Sequence, residues 1–342
     1  TCDQLQNINN DLGAYYILGS NIDCTGYNFT PIADVFTGTL DGKNHTISNI
    51  NISGGMDAAI FEVTIGATIE NLNLNGGSVS GGKWSASLVG NLQGGSSIIN
   101  VHSNVDVDAG NQTAGGLVGL FEGTMSQSSY SGNISGGDYT GGLVGAYDAG
   151  TPSIDNSYFE GNINARGDNI GGIAGQMLQR GTIDKTYSSG TITINGHQYI
   201  GGLVGDASNI DSNIVTNSFS ATHLVGSGQN VGGIFGTYAP GMNISNTYFD
   251  QYLTNDNNNN NLYCTGIDTS LSGCSHVNVN NSNPNYFKNN STNAPLKDWD
   301  FNTIWFYSDG NYPKLKQGHL TKPVIHLYGD GNMSLKVGDK FT

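Results

Sequence analysis

The residues whose types and spacing could do chemistry are a few acids and the cysteines. Asp155 and Asp184 stand 29 positions apart, each after an isoleucine. Inverting glycosidases need two carboxyl groups ~6.5–9.5 Å apart. A chain wound in coils of that length would bring this pair one coil apart, at roughly 4.8 Å. A polysaccharide-processing enzyme is therefore one reading. Polyuronate chemistry also needs a base to take a proton; Lys185 is the nearest, and Arg166 and Arg180 are the only arginines. Solvated surface is the better account of the two acids. Asp106 and Asp108, with Gly110, offer oxygen ligands for calcium, but the distal glutamate of a calcium loop is missing. The seven histidines (His45, His102, His197, His223, His276, His319, His326) are scattered without an HxH or HExxH grouping. No catalytic residue, metal site or cofactor is expected, and the chain reads as no enzyme.

The cysteines form two local pairs, Cys2 with Cys24 and Cys264 with Cys274. Neither has zinc-finger spacing. Two local disulfides place the chain outside the cytosol; the alternative is four buried free thiols. Net charge is −15, from 27 acids and 12 bases. With so few bases, nucleic acid is excluded as a partner, and an anionic membrane surface is disfavoured. No apolar run is long enough to span a membrane. The opening at Thr1, with no leader, suits a processed or excised fragment.

The elements that must position these residues follow from composition and period. Glycine fills 51 positions and asparagine 44, while charged residues are only 11%. Low charge density disfavours disorder, and Gly and Asn are poor helix formers. The pattern G-G-[LI]-[VAF]-G recurs, ending at Gly119, Gly145, Gly175, Gly205 and Gly236, with a weaker copy, SASLVG, ending at Gly90. An aromatic or aliphatic residue follows each copy: Leu72, Val101, Tyr130, Tyr158, Tyr187, Phe219 and Tyr248, about 29 residues apart. Such a period means stacked units. Short alternating runs broken by Gly, Asn, Ser and Asp indicate strands, not helix pairs. One coil of a parallel β-helix fits, each coil bonded to the next.

Stacking turns sequence columns into ladders. Leu117, Leu143, Ile173, Leu203 and Ile234 should form one buried file that replaces a conventional core. The adjoining glycines either adopt positive φ at a corner or admit a close backbone approach. Tyr130, Tyr158, Tyr187, Phe219 and Tyr248 form an aromatic column, read as a packed stack with a ligand platform as the alternative. Asn71, Asn100, Ser129, Ser157, Thr186, Ser218 and Thr247, one before each, form a small polar column. The expected fold is all-β: a solenoid of about 29-residue coils with a short N-terminal capping helix and an irregular C-terminal cap. Thr1 and Gln4 match a capping box, and Leu5, Ile8 and Leu12 share a face of a helix of about ten residues. The expected organisation is a cap and opening coils over 1–57, repeat coils over 58–250, an Asn-rich loop and aromatic cap over 251–319, and linker or first strands of another module over 320–342. Trp299, Phe301, Trp305, Phe306, Tyr307 and Tyr312 should cover the C-terminal end of the rod.

The glycine rhythm resembles the GLUG repeat of secreted and surface-exposed bacterial proteins, including adhesin-like proteins and accessory regions of immunoglobulin A peptidases. The opening TCDQLQNINNDLGAYYILGSNIDCTGYNFTPI and the closing LKDWDFNTIWFYSDGNYPKLK resemble the flanks of such arrays, so the likeness covers residues 1–316. PVIHLYGDGNMSLKVGDKF resembles the start of a bacterial immunoglobulin-like module. The resemblance implies a modular exported polypeptide and transfers no catalytic residue. The resulting expectation is a non-catalytic, extracellular, cell-surface β-helix, a stalk or adhesive segment. Its partners would be neighbouring surface modules, host or neighbour-cell glycans or proteins, or further copies of itself. The alternative is a filament subunit that assembles through its C-terminal strand.

Overall fold

The computed structural model describes residues 1–147, 149–178, 180–208, 212–250, 262–267, 271–277, 296–306 and 311–316. The chain winds into a parallel β-helix. One sheet stacks a single strand from each of eight coils: Ile32–Phe36, Phe61–Ile65, Val89–Gln93, Val118–Phe121, Val144–Tyr147, Ala174–Met177, Val204–Ala207 and Phe235–Tyr238. The remaining strands of the coils pair coil to coil in a second, larger sheet, also parallel. Among the described residues no helix is long and apolar enough to cross a membrane.

Leu117, Leu143, Ile173, Leu203 and Ile234 lie in one file, each 0% exposed. Each amide donates to the next carbonyl: Leu117 to Leu143 at 2.9 Å, Leu143 to Ile173 at 3.0 Å, Ile173 to Leu203 at 2.8 Å and Leu203 to Ile234 at 3.0 Å. Leu88 precedes the file and Cys264 follows it through the same bonds. Burying each such side chain is worth ~1.5–3 kcal/mol.

Of the two uses open to the repeat glycines, the fold takes the close approach, since none of them has positive φ. A Cβ on Gly141 would collide with the Val144 carbonyl oxygen and come within 2.6 Å of the Gly175 nitrogen. One on Gly142 would strike the Gly172 carbonyl and the Phe159 ring. Positive φ is carried elsewhere, at a corner held by Asn71 (51°), Asn100 (55°), Gln127 (51°), Asn156 (46°), Lys185 (50°), Asn217 (49°) and Asn246 (48°). Asparagine enters this region more readily than most residues, which accounts for part of its abundance. Its amides also tie coils together: Asn100 Nδ2 donates to Asn71 Oδ1 at 3.0 Å, and Asn246 Nδ2 to Asn217 Oδ1 at 3.1 Å.

Two expected columns need correcting, and the cause is coil length. Ser103 pairs with Tyr130, and His102 with Ser129, across a coil of 27 residues rather than 29. The small polar column therefore divides. Asn71 and Asn100 stand at the corner and Ser129 on the outer face, while Ser128 joins Ser157, Thr186, Ser218 and Thr247 inside. There the Ser128 amide donates to Ser157 Oγ at 3.1 Å and the Thr186 amide to Ser218 Oγ at 3.0 Å. The aromatic column is displaced by that short coil before Tyr130 and by a one-residue slip after it. Tyr130 pairs with Phe159, not Tyr158, and its buried hydroxyl donates to the Val105 and Asn133 carbonyls.

At the N-terminal end Thr1 and Gln4 form the reciprocal capping box. The helix is shorter than ten residues, an α-turn over Cys2–Gln6 continuing as a 3-10 turn over Asn7–Asn10. Leu5 and Ile8 are buried, Leu12 packs beside them, and Cys2 is disulfide-bonded to Cys24. Cys264 and Cys274 are bonded in the last coil, with their Cα atoms 6.2 Å apart. The described residues of the aromatic segment around Leu296–Leu315 are placed elsewhere than over the rod's end. They pack on the flank, where Trp299 and Trp305 lie against Tyr187 and Phe219. Covering these outward rings removes a large apolar surface from water. Tyr307, the Asn-rich run 255–261 and the tail 320–342, with its proposed assembly strand, lie outside the described residues.

Gly141→Ala should destabilise the coils by on the order of 1–3 kcal/mol, the usual consequence of overpacking. Gly94→Ala, whose Cβ meets nothing within 4 Å, should change stability by less than about 0.5 kcal/mol. Denaturant unfolding of the two variants reads the contrast; equal losses would mean that the glycine file does not set the coil spacing.

Candidate functional site

The flank that carries the outer aromatic column is the most structured surface of the molecule. Coil by coil, the outward position holds Asn73, His102, Ser129, Tyr158, Tyr187, Phe219 and Tyr248. The column changes character half-way. From Tyr158 onward the rings stack, 4.8 Å from Tyr158 to Tyr187 and 5.1 Å from Tyr187 to Phe219, with planes within 6°. This half is filled by the C-terminal segment. Lys314 pairs with Glu160 at 3.1 Å, the Tyr187 hydroxyl donates to Glu160 at 2.9 Å, and Tyr312 donates to Asp250 at 2.5 Å.

The other half is open. Thr46, Asn73, Asn75, His102, Asn104, Ser129 and Ser131 border a groove of about 320 Å³ that no charged side chain lines. His102 is held by Ser129 Oγ on Nδ1 at 2.8 Å and Asn100 Oδ1 on Nε2 at 3.2 Å. Burial pushes its pKa below the usual histidine value, so it stays neutral at physiological pH. Asn104 Nδ2 donates to Asn75 Oδ1 at 2.9 Å, and Asn104 Oδ1 accepts the Gly76 amide at 2.6 Å. The sequence had marked only the aromatic half of this column. The polar half hides because its residues are ordinary Asn and Ser until the two-residue shortening of one coil is known.

The two acids Asp155 and Asp184 do sit side by side on successive coils. Lys185 bridges them, 3.2 Å from Asp155 and in closer contact with Asp184. Burial raises the Asp184 pKa, but hydrogen bonds from Lys185, Thr216 and Asn217 outweigh it and leave the carboxyl below its ordinary value. A general acid needs the opposite shift, so this arrangement is an ion-paired surface cluster. Asp106 and Asp108 are likewise engaged: Asp106 accepts from Asn133, and Asp108 pairs with Arg166 at 2.8 Å. Among the described residues no three His, Cys, Asp or Glu side chains are placed to hold a metal ion.

One carboxyl escaped sequence reading. Asp57 is 5% exposed and its Oδ1 has no hydrogen-bond partner. The register that pairs Phe61 with Val89 sets Asp57 level with Ser85, and Ser85 begins a buried column that continues through Ala114 and Thr140. Burial, and then the charge of Glu62, push its pKa up to about 6, against the opposing pull of Lys83. The available signal was a broken repeat: Ala58–Ala59 replace the paired glycines, and Glu62 stands where later coils have Gly90 and Gly119.

No model of a known family matches the chain. The immunoglobulin A1 protease of Streptococcus pneumoniae is 29% identical over 266 residues, which cover 70% of this chain and 13% of that protease. Halomucin of Haloquadratum walsbyi is 31% identical over 234 residues, 65% of this chain and 2% of halomucin. A crystal structure of a putative immunoglobulin A1 protease from Bacteroides ovatus shares the fold, with a TM-score of 0.55 at 20% identity over 71% of this chain and 82% of that one. The chain therefore spans a small part of the curated relatives it resembles. These findings run against the expectation that the chain is no enzyme, because similar stretches lie in proteins named as proteases.

A buried carboxyl with a raised pKa stabilises the fold only while protonated. That contribution is complete below the unfolded value near 4 and is lost as pH rises through about 6. Asp57→Asn should thus match the parent's melting temperature at pH 4 and exceed it at pH 7.5. A difference independent of pH would show that Asp57 is solvated.

Proposed function

We propose that the chain is an extracellular β-helix module of a larger polypeptide of the immunoglobulin A1 protease kind, and that it holds a partner against its flank. The observation that carries this is the pairing of two facts. The coils resemble a stretch of such proteases over 70% of this chain, and one flank carries an open polar groove whose Ser129 is followed on the next coil by the first ring of an aromatic stack. Both cysteine pairs are bonded, with no free thiol among the described residues, which fits an oxidising compartment. In the same reading the coils are a GLUG-type array, and residues 320–342 open an immunoglobulin-like module. The partner is a glycan or a protein on a host or neighbouring cell, immunoglobulin A1 being the substrate of the whole polypeptide.

Antiserum against the coils should find the whole polypeptide in the medium or at the cell face. Deleting residues 1–316 from it should raise KM for immunoglobulin A1 about tenfold or more while kcat changes much less, the signature of lost uniform binding. An unchanged KM would remove the holding role, and a cytosolic polypeptide would remove the module reading itself.

A further inference from the structure

We propose that the open half of the flank groove binds an uncharged glycan lying along the rod axis, with the Tyr158 ring, one coil beyond Ser129, as a platform. This deepens the reading of the chain as an extracellular module that holds a partner, and rests on it.

The first argument is spacing. Coils succeed one another at about 4.8 Å, whereas an extended peptide advances only ~3.3–3.4 Å per residue. Asn73, His102 and Ser129 place one polar side chain per coil in a single column, with His102 and Ser129 bonded to each other and Asn73 free to reach a ligand. A sugar chain, whose rings advance by roughly one coil rise, stays in register with that column; a peptide drifts out of it.

The second argument is unsatisfied hydrogen bonding. The Asn73 amide donates to the Asn44 carbonyl at 3.2 Å, which leaves its Oδ1 open. Asn75 accepts from Asn104 through Oδ1 and leaves Nδ2 open. Within the described residues the Thr46 and Ser131 hydroxyls bond to nothing, and they face the same groove. Open donors and acceptors therefore face the same groove, and a sugar hydroxyl serves as both.

The third argument is charge. The molecule has 27 acids and 12 bases, yet none lines this groove. A charged ligand would lose hydration there without a paired counter-charge. Finally, Tyr158 is the first ring of the stack. One face lies on Tyr187, and the other turns toward the coil of Ser129, where no ring follows. An apolar ring face one coil beyond a polar groove suits the C–H face of a sugar, in the usual mix of an aromatic wall and few polar groups.

The test uses the full chain on an array of neutral gluco-, galacto-, manno- and N-acetylhexosamine oligomers, their sulfated and sialylated counterparts, and unglycosylated polar peptides. The strongest neutral binder is then titrated calorimetrically. Asn73→Ala combined with Asn75→Ala, and separately Ser131→Trp to fill the groove, should each weaken binding about tenfold or more, or ~1.4 kcal/mol. Ser227→Ala, on an exposed stretch outside the groove, should leave binding unchanged, and thermal melts should show all variants folded. The proposal is overturned if the folded chain binds no neutral oligomer, if binding survives both groove changes, or if only charged glycans or peptides are captured. Any of these, with the polypeptide still found outside the cell, defeats the ligand class alone; a cytosolic polypeptide defeats the module reading as well.

Discussion

The hydrogen bonds that carry each coil onto the next, amide to carbonyl along the aliphatic file, are the constraint from which the other features follow. They run through residues with no exposed surface from Leu88 to Ile234 and end on the buried Cys264. They close only because the neighbouring glycines have no Cβ where the next backbone passes. Once the coils are locked at this spacing, every position repeats above itself, and whatever residue type occupies a position becomes a stripe. Hydrophobic burial, side-chain amide chains at the corner and aromatic stacking are all consequences of that repetition.

The stripes explain which parts of the molecule could be read from its sequence. Glycine and leucine recur strictly enough to reveal the coil, and Thr1 with Gln4 gives away the helix cap at the N-terminal end. Less regular columns mislead, because a one-residue slip in the assumed spacing, from Tyr130 to Tyr158 instead of to Phe159, exchanges the outer face for the interior. Tyr130 has the spacing of an outward ring and the surroundings of a core residue. Asp57 is hidden for a related reason: it sits where the repeat is degenerate, so only the faint echo of the paired glycines in Ala58 and Ala59 marks an inward position. The placement of Trp299 and Trp305 is a matter of which apolar surface most needs cover, and no local pattern encodes it.

The flank joins two chemistries in one continuous column. Its upper half is apolar and covered by the chain's own aromatic segment; its lower half is neutral, polar and open. A solenoid can make this change within a few coils because each coil contributes one residue to the column independently. The proteases that this chain resembles are several times longer, so such a surface is one contribution among many to the behaviour of a whole polypeptide. The similarity to halomucin shows the same kind of stretch in a protein that does not bear a protease's name, which fits a building block reused in different settings.

The position of Cys264 has a mechanical consequence. Its carbonyl receives the Ile234 amide, so the residue that ends the aliphatic file is also covalently tied to Cys274. Tension applied beyond this point cannot peel the final coil away residue by residue, because the tied loop resists extension until it is reduced. A rod built in this way softens on reduction and stays stiff outside the cell.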